Sequence, residues 1–93
     1  MLDLARQLRI NESVVCSELD DEMVLLNIEI GIYFGLDAVG TAIWRLLVKG
    51  ADESEIVRRL LAEYDVEPVR LRTDVSAFLN LLSARGLLHP ERG

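Results

Sequence analysis

"IEIGIYFGLD", Ile28 to Asp37, decides the fold. Ile28, Ile30, Ile32, Phe34 and Leu36 share one parity, and Glu29, Gly31, Tyr33 and Gly35 stand between them. Such alternation marks a β-strand with one apolar face. It continues back without a break to Val24, too far for one strand of about three to ten residues. A hairpin turn is therefore expected near Asn27 to Gly31, with Gly31 at positive φ, and Gly31 to Leu36 becomes a strand of its own.

Toward the amino terminus, "SVVCSEL" (13–19) and "MVLLNI" (23–28) read as two more strands, joined by a tight turn at Asp20-Asp21. Residues 1–12 read equally as an extended lead-in or a short helix. Cys16 is the only cysteine, which excludes an internal disulfide and any multi-cysteine metal site. It is expected as a small buried hydrophobe in its strand.

After Leu36 the period becomes helical. Asp37 suits an N-cap, Val39, Ile43, Leu46 and Leu47 form one stripe, and Gly50 ends the first helix. Asp52 with Glu55 opens a second, which carries Ile56, Leu60, Leu61 and Tyr64. Pro68 opens a third, with Leu71, Val75, Phe78, Leu79 and Leu82 on one face until Gly86. Three strands followed by three helices predict an α+β domain in which the helices cover one face of a small antiparallel sheet. Trp44 and Phe78 are the expected core anchors, and Gly40 to Ala42 would let the first helix approach its neighbour closely. The domain is expected over residues 13–88, with 89–93 as a mobile tail.

With 93 residues the chain suffices for one domain, and 51% hydrophobic against 28% charged residues predicts a folded one. The formal charge of -6 disfavours phosphate backbones. The amino-terminal stretch carries Asp3 and Glu12 and has no unbroken apolar run, so neither a signal peptide nor a membrane span is expected, and a soluble cytoplasmic protein is. There is no glycine-rich phosphate loop, no serine elbow and no pair of histidines. His89 stands alone, and no orienting third group joins it to Cys16. The sequence predicts a binding surface, not an enzyme, and no cofactor or metal.

Three stretches together resemble the PqqD-like family, which contains the recognition elements for ribosomally made, modified peptides. They are "YFGLD" at Tyr33 to Asp37, "GTAIW" at Gly40 to Trp44, and "DVSAFLNLLSARGLL" at Asp74 to Leu88, and with "EIVRRLLAEYDV" between them the resemblance covers about Ser13 to Leu88. Within the family the chain is most similar to the free-standing leader-binding proteins of lasso-peptide clusters. It departs at Asn27, where the family more often has an acidic residue.

The resemblance implies a winged-helix-like domain, a three-stranded antiparallel sheet followed by a three-helix bundle. It also implies that the leader of a precursor peptide joins the third strand, in a groove walled by the third helix. An edge strand is usually blunted by charge or proline, and Gly31 to Leu36 has neither. The expected peptide-binding residues are Gly31, Ile32, Tyr33, Phe34 and Gly35 on the strand. On the helix they are Val75 and the flank Val69, Arg72, Ser76 and Leu79, with Arg72 or Asp74 as a partner for a leader charge. The implied partners are a precursor leader and a processing enzyme such as a leader peptidase, with no nucleic acid and no membrane. Two alternatives stay open: a winged-helix DNA-binding regulator, suggested by Arg58, Arg59, Arg70 and Arg72, and a PqqD-type chaperone for a radical-SAM enzyme.

Overall fold

The computed structural model describes residues 8–20 and 22–90. Strands β1 (Leu8–Ile10), β2 (Val14–Leu19), β3 (Glu22–Asn27) and β4 (Ile32–Leu36) come first. Helices α1 (Ala38–Val48), α2 (Glu53–Glu63) and α3 (Pro68–Ala84) follow, and β5 (Leu88–Pro90) comes last. β2, β3 and β4 form an antiparallel sheet in that order, so the α+β reading holds, and β4 is the third strand of the sequence argument.

The structure also has a second, two-stranded sheet that the sequence does not predict. β1 pairs antiparallel with β5, Leu8 opposite Pro90 and Ile10 opposite Leu88. Leu8 to Ile10 of the lead-in is thus extended, and His89 and Pro90 belong to a strand, not to a mobile tail. Three-residue strands that meet across almost the whole chain leave no periodic trace in the sequence. Residues 1–7 and 91–93, on which the rest of those two expectations fell, lie outside the described residues, as does Asp21 of the expected turn.

The β3–β4 hairpin closes with Asn27 opposite Ile32, and Gly31 has φ +70° as expected. Its N–H donates to the Asn27 carbonyl at 2.8 Å. The Asn27 side chain, 1% exposed, organises the turn. Its Oδ1 accepts from the N–H groups of Glu29 (3.0 Å) and Ile30 (3.3 Å), while Nδ2 donates to the Gly86 carbonyl at 2.8 Å. A carboxylate can do the first but not the second, which is a physical reason for an amide at this position. Asn11 Nδ2 donates to the same Gly86 carbonyl at 3.0 Å, tying the end of α3 to both sheets.

Asp37 caps α1 by accepting from the Gly40 N–H at 2.8 Å, and Asp52 caps α2 by accepting from Glu55 at 2.8 Å. Leu25 and Leu36 of the sheet, Ile43 and Trp44 of α1, Ile56 and Leu60 of α2, and Val75, Leu79 and Leu82 of α3 make the core. Trp44 is the buried anchor expected, but Phe78 is only partly buried and Val39 is exposed. Cys16 is exposed as well. It lies opposite Leu25, yet β2 is an edge strand in which only Val14 is even partly covered. Among the described residues no helix is long and apolar enough to cross a membrane.

Candidate functional site

Because β3 lies between β2 and β4, one edge of β4 faces no described strand. Which of its backbone groups point there follows from the phase of the ladder. The Ile28 N–H donates to the Ser13 carbonyl at 3.0 Å, and hydrogen-bonded and non-hydrogen-bonded pairs alternate along antiparallel strands. Counting from Ile28, Leu26 and Val24 turn their backbone groups toward β2, and Asn27, Leu25 and Met23 turn theirs toward β4. The partners of these last three are Ile32, Phe34 and Leu36. The N–H and C=O groups of Tyr33 and Gly35 therefore point outward from the free edge. The Gly31 N–H is already engaged in the turn, so two residues, not six, present the edge.

Neither charge nor proline guards that edge. A Cβ built on Gly35 would meet nothing within 4 Å, which leaves room for a neighbouring backbone. Tyr33 is 70% exposed on the outer face, while Ile32 and Phe34 are partly buried on the face toward the helices.

The facing wall is α3, but by a different flank from the one the sequence suggested. The Arg85 guanidinium lies over the Phe34 ring at 5.9 Å. A Cβ on Gly40 would come within 3.3 Å of both Phe78 Cζ and Leu36 Cδ2, confirming the close approach of α1. Phe78 and Arg85 thus turn toward β4, and Asp74 and Leu81 share their flank by helical spacing. The expected residues lie elsewhere. Arg72 lines a recess against Val57, Arg58 and Leu61 of α2, and Ser76 is one turn along on that side. Leu79 is 0% exposed and Val75 2%, both in the core, and Val69 is exposed at the helix start. Periodicity locates the buried stripe of α3, but the side on which the sheet lies is a property of the topology. A half-buried phenylalanine with arginine seven positions on was the available signal for the flank that borders β4.

Where the groove reaches Leu36, a cavity of about 340 Å³ opens between the start of α1, the end of α2 and α3. Val39, Gly40, Tyr64 and Phe78 line it, with the carboxylates of Asp37 and Asp74. Among the described residues no group of three His, Cys, Asp or Glu could hold a metal ion. Cys16 and His89 fall in different sheets. Most of the arginines in the DNA-binding alternative face acids: Arg58 and Arg59 lie 3.8 and 3.4 Å from Glu55, and Arg70 lies 3.9 Å from Asp74.

The family model for coenzyme PQQ synthesis protein D (PqqD) matches residues 22–88. No curated protein matches the chain. Two solved structures are similar over nearly their whole length. One is TbiB1 in complex with the TbiA(beta) leader peptide, 42% identical with a TM-score of 0.86, covering 91% of this chain and 99% of that one. The other is a lasso peptide synthetase B1 complexed with the leader peptide, 26% identical with a TM-score of 0.82, covering 89% of this chain and 98% of that one.

Proposed function

The chain belongs to the PqqD family, and on that premise we propose that it binds the leader segment of a lasso-peptide precursor as an added strand on β4. It acts as a non-catalytic cytoplasmic partner that presents the leader to a processing enzyme such as a leader peptidase. The observation that carries this reading is the outward pair Tyr33 and Gly35, on an unguarded edge opposite Phe78, Leu81 and Arg85. Backbone pairing there supplies affinity, and side-chain contacts in the groove supply register. The likeness to two proteins solved with leader peptides supports it.

The test uses labelled leader and core segments of the precursor encoded beside this protein, titrated separately. The leader binds and the core does not; equal affinity for both, or for neither, refutes the reading. A proline at Tyr33 removes an outward donor and leaves the β3 ladder intact, so it weakens the leader while circular dichroism keeps its helical signal. Lost pairing to a buried carbonyl costs about 1 to 3 kcal/mol, roughly 5- to 150-fold in affinity. The DNA-binding alternative predicts a fall of orders of magnitude in affinity between roughly 50 and 200 mM salt, together with duplex binding.

A further inference from the structure

The cavity at the Leu36 end of the groove combines two properties that together specify an occupant. Its walls are apolar and aromatic, including Val39, Tyr64 and Phe78, and its volume of about 340 Å³ is enough for a long side chain. Its lining carries two carboxylates, Asp37 and Asp74. Asp37 commits Oδ1 to the α1 cap. Asp74 faces Arg70 at 3.9 Å, a loose pair at the limit of ion-pair distance, so its carboxylate stays open to a second cation. Val66, which also lines the cavity, is flanked by the exposed acids Asp65 and Glu67. With Asp37 and Asp74 against the one arginine beside them, the lining carries a net negative charge, whereas Arg85 brings a positive charge over Phe34, two residues back along β4.

A purely apolar side chain would fill the cavity but leave that field unanswered. Lysine and arginine lay an aliphatic stem along apolar surface and keep the charged head at the water boundary, and their cations are attracted to aromatic faces such as those of Tyr64 and Phe78. Resting on the strand-addition reading, we propose that this cavity selects a lysine or arginine of the bound peptide, placed where the added strand passes Leu36. Its stem packs on Val39 and Phe78 and its charge faces Asp37 and Asp74. The site therefore has polarity as well as register: a cation at the Leu36 end of the peptide and none at the Arg85 end.

The test is a displayed library of random 20-residue peptides, selected on the full chain and on the variant carrying Asp37→Asn and Asp74→Asn. Asparagine keeps the α1 cap. A control variant, Glu22→Gln with Glu29→Gln, removes two exposed acids elsewhere on the sheet and its hairpin. Peptides from the wild type are expected to share Lys or Arg at one fixed spacing from their apolar positions. Replacing that residue with Met should lower affinity roughly fivefold on the wild type and the control, and not on the Asp37/Asp74 variant. Selected peptides that need Tyr33 for binding but share no cation overturn this inference and leave strand addition standing. An equal loss of cation preference in the control also overturns it, by assigning the effect to net charge. A library that yields no binder at all overturns strand addition and the inference with it.

Discussion

The acidic residue that the family resemblance leads one to expect at position 27 should damage this protein, and Asn27→Asp measures why. The substitution keeps the acceptor for the N–H groups of Glu29 and Ile30. It replaces the Nδ2 donor, 2.8 Å from the Gly86 carbonyl, with an oxygen facing an oxygen at a site 1% exposed. Losing the bond costs about 1 kcal/mol, and a buried, charged second oxygen that no donor meets and that faces the Gly86 carbonyl adds about 1 to 3 kcal/mol. Asn11 still donates to Gly86, so the carbonyl is not orphaned and the sum stays near 2 to 4 kcal/mol. For a domain of this size that is a Tm drop on the order of 10 to 25 °C. Urea unfolding at pH 7 reads it directly. Burial favours the protonated carboxyl in the folded state, so the variant regains stability relative to wild type as pH falls toward about 4, where a protonated carboxyl can donate. The double variant with Asn11→Ala should lose more than the sum of the singles, because the two amides share one carbonyl. A single variant within about 0.5 kcal/mol of wild type would refute the role given to Asn27.

Thr41 is buried with its hydroxyl unpaired, so Thr41→Val should raise stability by up to about 1 kcal/mol in the same assay; a loss would mean that the hydroxyl has a partner. Gly86→Ala should destabilise more than Gly50→Ala. Both have positive φ, but a Cβ on Gly86 would stand 3.2 Å from Ile30 Cδ1 and 3.3 Å from Asn27 Nδ2, whereas one on Gly50 meets nothing within 4 Å. Equal costs would show that the hairpin gives way freely. Leu81→Asp should weaken leader binding by about 1 to 3 kcal/mol in a titration, while Arg72→Ala, on the α2 side, should leave it unchanged. The reverse pattern would restore the flank that periodicity suggested.

The parts of the fold written in local chemistry were legible in the sequence. Asp37 and Asp52 announce their helices because a cap is a contact across three residues, and Gly31 announces its turn because few side chains tolerate that φ. The free edge at Tyr33 and Gly35 was half legible: composition shows it unguarded, but which N–H groups point outward needed the register against β3. What failed depends on long-range placement. The β1–β5 pair joins residues 8–10 to 88–90, Cys16 is exposed because β2 is an edge strand that little covers, and Phe78 with Arg85, not Arg72 with Leu79, faces β4 because of how α3 crosses the sheet. A helical stripe is symmetric about its centre, so a sequence alone does not say which flank borders the sheet.

Amide hydrogen exchange of the protein, with and without the leader peptide of its own precursor, tests strand addition most directly. Ile32, Phe34 and Leu36 already donate toward β3, so their amides should be protected in both states and change little. The amides of Tyr33 and Gly35, free to exchange in the unbound protein, should slow on the order of 100-fold when free peptide is present at about 100 times its Kd. Saturating peptide that leaves Tyr33 and Gly35 exchanging as fast as before, while residues elsewhere become protected, would contradict the account.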